Sequence, residues 1–337
     1  MLNISKAGKR ESFLSAYLML VLATAFWGVS FPVTKALSIE EHRLSPDVSY
    51  LTIASAALFV RFSLAALFAL VLCLKTFRKI TKREVMHGFV IGAFVGIGAI
   101  FQTHGINYTS ASISAFVTAF YAILVPVLES VLNRKPPPLR IWSSSIIVIT
   151  GMGILSGVSI EDLKIGRGEW ETLISSLFFS FQILWMGRID PVKDKSLHIS
   201  LFMFITVALL QLIPLAVFSN DIHSVIATHL SVRALLLQII LALVPALGAF
   251  LIMNRFQPRV SASAAGVIYC FEPVFALILA TFLPEILLGD SRLYSNESIT
   301  NAVLIGGSLI LAANLLIQQS KSGSTENIQK VSADYTD

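Results

Sequence analysis

One carboxylate interrupts the apolar run "YCFEPVFALILATF", residues 269–282: Glu272, set directly before Pro273. An acid in such surroundings binds a proton, pairs with a cation or contacts a charged solute. Two basic residues lie in comparable runs, Arg61 and Lys35, and the aromatic residues Trp27, Tyr121 and Tyr269 lie in the same kind of sequence. Charges at the centre of a bilayer cost about 2.5–3.5 kcal/mol on insertion scales, so they face a cavity or a partner. Glu272 follows Val260 by twelve positions, roughly 18 Å along a helix, which is near the middle of a membrane crossing. Two readings follow. Glu272 is protonated or pairs in turn with Arg61, Lys35 or a solute, or it forms a static ion pair with Arg61 that fixes helix packing.

The elements that must position these residues follow from composition. Of 337 residues, 55% are hydrophobic and 13% charged, against about 25% charged in soluble domains. The mean hydropathy is +0.78. The chain therefore reads as an all-α integral membrane protein with the lipid bilayer as its solvent. A crossing needs about 20 apolar residues. Ten runs meet this need: Leu14 to Ala36, Leu51 to Leu74, Val85 to His104, Ser112 to Leu132, Ile141 to Val158, Trp170 to Gly187, Leu197 to Val217, Val232 to Met253, Ala262 to Leu283 and Ile299 to Ile317. The first is too long for a secretory signal core and reads as a retained anchor. Basic loops stay in the cytoplasm. With both termini cytoplasmic, 18 of the 25 lysines and arginines fall on the inner side and five on the outer. The net charge of +5 is then a topology signal, and no nucleic-acid partner is expected from it.

Other residues carry less. Cys73 and Cys270 lack ligand spacing, so neither a disulfide nor a metal site is expected. Gly88, Gly92 and Gly96 share one helix face and suit close helix packing. His104 reads as a wetted residue at a helix end, and Glu129 as a local partner of Arg134. Pro126 and Pro273 each remove a backbone hydrogen bond and act as hinges or static bends. The loop Ser38 to Leu51, the prolines 136–138 and the polar tail after residue 318 read as connections and a disordered end.

Two segments repeat. The stretch "AFWGVSFPVTK" (25–35) parallels "LFFSFQILWMGR" (177–188), placing Lys35 on Arg188. The fourth run opens "TSASISAFVTAFYAILVPV" and the ninth "VSASAAGVIYCFEPVF", each with Ser-Ala-Ser and a proline inside, the second proline one helical turn earlier. A repeat of five helices forces the second half upside down, with a site between the halves near the midplane. The expected divisions are a cytoplasmic segment 1–13, a first repeat 14–158, an inverted second repeat 159–318 and a cytoplasmic tail 319–337.

These segments, with "RFSLAAL" (61–67) and "IGGSLILAANLLI" (305–317), resemble the EamA-like family of the drug/metabolite transporter superfamily along nearly the whole chain. The resemblance implies a ten-helix carrier of small metabolites, often directed outward, with helices 1, 3, 4, 6, 8 and 9 around a central cavity. The expectation is a secondary active transporter, an exporter of amino-acid-like or drug-like cargo, working by alternating access and coupled to protons through Glu272. Substrate-path residues would be Glu272, Arg61, Lys35, Trp27, Tyr121 and Tyr269, with Pro126 and Pro273 as hinges. No nucleotide-binding loop, HExxH pair or serine elbow occurs, so no cofactor and no enzyme activity are expected. A membrane receptor, scaffold or enzyme is the alternative.

Overall fold

The computed structural model describes residues 2–134, 136, 139–155, 166–219, 225, 228–229 and 231–289, and beyond these only positions 292–296, 298, 301, 304–306, 308–309, 312–313 and 316, with side chains from Leu14 onward. Every regular element among the described residues is a helix. In chain order they are α1 (Leu2–Leu44), α2 (Tyr50–Cys73), a 3-10 turn (Leu74–Lys79), α3 (Lys82–Gly105), α4 (Ala111–Thr118), α5 (Tyr121–Asn133), α6 (Leu139–Leu155), α7 (Arg167–Met186) and α8 (Ser196–Phe218). Then come α9 (Val232–Leu241), a π-helical segment (Ala242–Gly248), α10 (Ala249–Phe256), α11 (Ala262–Tyr269), α12 (Glu272–Ala280) and α13 (Leu283–Leu288).

Seven helical stretches among the described residues are long and apolar enough to cross a membrane. They correspond to the first, second, third, fourth, seventh, eighth and ninth expected runs. The fifth run is helical, but its apolar part, Leu139–Gly151, is shorter. The sixth is α7, 20 residues long; Arg167, Glu169 and Glu171 make its start polar. The tenth run lies largely outside the described residues, as do the expected boundary at 158/159, Pro137, Pro138 and the tail 319–337.

The first helix corrects one expectation. It does not stop at Ala36 but runs to Leu44, taking in half of the segment expected as a loop. Glu40 and Arg43 pair one turn apart at 3.0 Å, which supports the extra turns. Pro46 then disfavours a helical Ser45, and the helix ends.

Burial is arranged for lipid. Leu67, Val71 and Leu72 on α2 and Ile213 and Val217 on α8 are exposed, whereas Ser175, Ser176 and Ser180 on α7 are fully buried. Water would not tolerate so apolar an exterior, and an acyl environment does. With no hydrophobic drive between helices inside lipid, small residues let backbones approach. A β-carbon on Gly88 or Gly92 would lie 2.6 and 2.7 Å from the carbonyl oxygens of Ile199 and Met203 on α8. Gly28 lets α1 meet α12 in the same way, at Phe275.

A polar knot fastens one end of this packing. Thr81 and Glu84 form a capping box at the start of α3. Glu84 also accepts from the Lys195 amide at 2.8 Å and meets Nδ1 of buried His198 at 3.0 Å. Nε2 of that ring meets Thr76 at 2.9 Å.

Overpacking a helix contact costs about 1–3 kcal/mol. Gly92→Leu is therefore expected to lower the thermal unfolding midpoint in detergent by several degrees. Gly153, with nothing within 4 Å of its would-be β-carbon, is expected to tolerate alanine without loss.

Candidate functional site

The site begins with two broken helices. Ser110 caps α4 by accepting from the Ile113 amide, and Ser261 caps α11 by accepting from the Ala264 amide. Each cap opens a helix of eight residues. Two residues then leave the α-helical pattern, Ala119–Phe120 in one case and Cys270–Phe271 in the other, with bonds tightened to the third preceding carbonyl. The second pieces, α5 and α12, start at Tyr121 and Glu272. Counted from their caps, Tyr121 and Glu272 occupy the same position, and Thr118 matches Tyr269.

These matched residues touch. Proline at 273 has no amide hydrogen to give the carbonyl four residues back, Tyr269. The Tyr121 hydroxyl donates to that carbonyl at 3.0 Å and also points to Oε2 of Glu272 at 3.1 Å. Pro126 likewise frees the carbonyl of Ala122, and Ser145 of α6 donates to it at 2.9 Å. Pro126 sits inside the continuous α5, however, and the interruption lies six to seven residues before it.

Around Glu272 lies a cavity of about 60 Å³, measured as the space open to the centre of a water molecule. At roughly 10–15 Å³ per water on that measure, it holds about four to six. Trp27, Arg61, Tyr121 and Tyr269 line it together with Glu272. Glu272 is 7% exposed and Arg61 9%. Among the described residues they form no ion pair with each other or with any other group. Nε of Arg61 and Nε1 of Trp27 are buried without a hydrogen-bond partner. The Trp27 ring stands edge-on to Tyr269 and Phe250, at 5.1 and 5.4 Å.

Lys35 does not reach the cavity. Its Nζ donates to the carbonyl oxygens of Ile106 and Thr109, at 2.7 and 3.2 Å. It thereby caps the end of α3, aided by a bond between Ser38 and Asn107. Two local expectations are corrected. His104 is buried, not wetted, and its Nδ1 lies 2.7 Å from Glu171, which Arg167 also holds. Glu129 bonds with Ser263 on α11 in place of Arg134.

Uncharged polar residues complete the lining. Gln102 donates to Thr118 at 2.9 Å, and Gln182 lies beside them. Outside the wall, buried Gln257 accepts from the Tyr269 hydroxyl at 2.7 Å and donates to the Ile183 carbonyl at 2.8 Å. It ties the Tyr269 ring to α7. Glutamine inside an apolar run was the available signal.

The seven membrane-length apolar stretches among the described residues define a multi-pass integral membrane protein of the cell membrane. Residues 14–157 match the EamA-like transporter family. An uncharacterized transporter of Archaeoglobus fulgidus is 29% identical over 275 residues, covering 81% of this chain and 80% of that one. A crystal structure described only as "Crystal structure of protein" shares the fold, with a TM-score of 0.60 at 14% identity over 90% of this chain and 97% of its own. The first part of the chain thus resembles the EamA-like family of the drug/metabolite transporter superfamily, and most of its length is similar to a transporter. Both likenesses are to transporters, and they point to a membrane transporter rather than an enzyme.

Removing the Tyr121 hydroxyl strands a buried carbonyl, a change worth about 1–3 kcal/mol. Tyr121→Phe is expected to destabilise the protein by that amount, read from thermal unfolding in detergent. Ser145→Ala is expected to cost a similar amount, because it strands the Ala122 carbonyl in the same way.

Proposed function

We propose that the protein is a secondary active carrier that moves a small polar or amphipathic solute by alternating access and couples the movement to a proton on Glu272. The observation that carries this reading is the meeting of Tyr121 and Glu272, the first residues after two matching helix breaks, at the wall of one cavity. Broken helices of this kind place free backbone groups and helix ends around a solute without exposing them to lipid. In the proposed architecture there are ten crossings, arranged as two inverted five-helix repeats with both ends in the cytoplasm. Export is favoured by the family resemblance.

The hydrogen bonds supply the coupling logic. Tyr121 has one hydroxyl hydrogen, and two acceptors compete for it, the Tyr269 carbonyl and the Glu272 carboxylate. A protonated Glu272 resolves the competition by donating to the Tyr121 oxygen, which leaves the tyrosine hydrogen to the carbonyl. Losing that proton restores the competition and creates a charge beside Arg61. The lack of an ion pair between Glu272 and Arg61 in this conformation supports a carboxyl that changes partners. Arg61 and Trp27 instead offer unmet donors to a solute in the cavity. We assign Lys35 a supporting role in the same pathway, holding the turn before α4. Pro273 is proposed as the hinge of the second half, and Pro126 as a hinge point within α5.

In proteoliposomes driven by a pH gradient, Glu272→Gln is expected to lose at least about tenfold in rate, the scale of one charge-assisted hydrogen bond, and to lose its pH dependence. Cargo would first be named by mass spectrometry of medium and cells producing wild type, Glu272→Gln or neither. Unchanged transport and pH dependence in the variant would end the proton-carrier reading. The static-pair rival predicts instead that Glu272→Gln and Arg61→Gln each destabilise and that the double variant recovers.

A further inference from the structure

Far along α1 from the cavity stands another buried acid. Glu41 is 0% exposed, and neither carboxylate oxygen has a well-aligned hydrogen-bond partner. Its Oε1 lies 3.2 Å from Nε2 of His229, which is also buried. The other ring nitrogen, Nδ1, lies 3.0 Å from the carbonyl oxygen of Val225. A carbonyl only accepts, so Nδ1 carries the hydrogen. In a neutral ring Nε2 is then an acceptor, and so is an ionised carboxylate. Two acceptors at this distance, without water between them, repel each other. The contact holds only with a hydrogen in the gap.

We infer that Glu41 and His229 form a buried proton-binding site, separate from Glu272, that holds one proton between Oε1 and Nε2. Burial keeps the His229 ring below the usual histidine pKa, with the bond to Val225 opposing. The proton therefore rests on the Glu41 carboxyl, which donates to the ring. The charges around the site support this placement. Glu40, on the next residue, takes both nearby arginines, Arg43 at 3.0 Å and Arg233 at 3.6 Å. His42 stacks on Tyr50 at 4.4 Å. Gln238 is the other polar group against Glu41 and is neutral and fully buried. Among the described residues no lysine or arginine pairs with Glu41, so nothing there holds it as an anion.

The site joins two parts of the molecule. Thr228, beside His229, meets Ser45 at 2.5 Å, so residues 228–229 dock on the end of α1 through two contacts. The same helix brings Trp27 and Ser30 into the cavity wall. From Ser30 to Glu41 is about three turns, roughly 16 Å. When the proton leaves, the docked segment loses one attachment to a helix that lines the cavity.

Infrared spectra of the full-length protein in lipid nanodiscs at neutral pH test the site. One component of the carbonyl band of protonated, buried carboxylic acids is expected to disappear in Glu41→Gln, to persist in Glu272→Gln and to shift in His229→Gln. That last variant keeps the test open should Glu41→Gln misfold. A spectrum unchanged by Glu41→Gln and His229→Gln would overturn the inference. The thermal unfolding midpoint gives a second reading. It should fall for wild type from mildly acidic to mildly alkaline pH and fall less for Glu41→Gln, whose amide keeps a donor facing Nε2. Parallel falls in both proteins would count against the site. Neither readout involves transport, so failure of the Glu272 proposal leaves this test intact.

Discussion

The arrangement of the cavity depends on one hydroxyl. In lipid every backbone polar group must find a partner inside the protein, because no water competes for it. Pro273 denies the Tyr269 carbonyl its helical partner, and Tyr121, from the other half of the chain, replaces it. That bond fixes the distance between α5 and α11, and it holds Tyr121 against the carboxyl of Glu272. A helix break that would be a liability in an acyl environment thus becomes the joint between two halves. Ser145 answers Pro126 in the same manner, so both prolines are compensated by hydroxyls from a neighbouring helix rather than by solvent.

Glycine contacts supply the complementary constraint. Where α3 meets α8 and α1 meets α12, backbone lies against backbone with no room for a methyl group. Such contacts hold helices close while contributing few directional bonds. Direction comes from the polar knots, Glu84 with His198 and Thr76 at one place, Lys35 with the carbonyls after α3 at another. The cavity lies among side chains of several helices whose mutual distances are set by these two kinds of contact. Its donors on Arg61 and Trp27 are unmet in that arrangement.

Much of this was legible in the sequence, for specific reasons. Glu272 and Arg61 announced themselves because charge is costly in an apolar run, and both line the cavity. The Ser-Ala-Ser openings marked two true helix starts, since a serine cap is a local device written in one residue and its own amide neighbours. The break in the fourth run was not legible. It falls at Ala119–Phe120, which carry no glycine or proline. Aligned on their Ser-Ala-Ser openings, the two segments agree in caps and breaks, and only their prolines fall a turn apart. Lys35 looked like a cavity cation because its carbonyl partners at Ile106 and Thr109 lie some seventy residues away in sequence. His104 and Glu129 failed likewise: their partners, Glu171 and Ser263, come from the second half of the chain.

The same reasoning explains why neutral polar residues were underread. A glutamine costs less than a charge to insert in a membrane helix, so its presence in an apolar run raises less alarm. Once buried, though, its amide carries both a donor and an acceptor, and Gln257 uses both, toward Ile183 and Tyr269. A tyrosine held at its hydroxyl by Gln257 and at its carbonyl by Tyr121 has little freedom of its own. Any movement of α11 must then carry α7 and α5 with it, or first break one of these two bonds. In the proposed cycle the chemical variable at that place is the proton on Glu272, because it changes how many acceptors the single tyrosine hydrogen must serve.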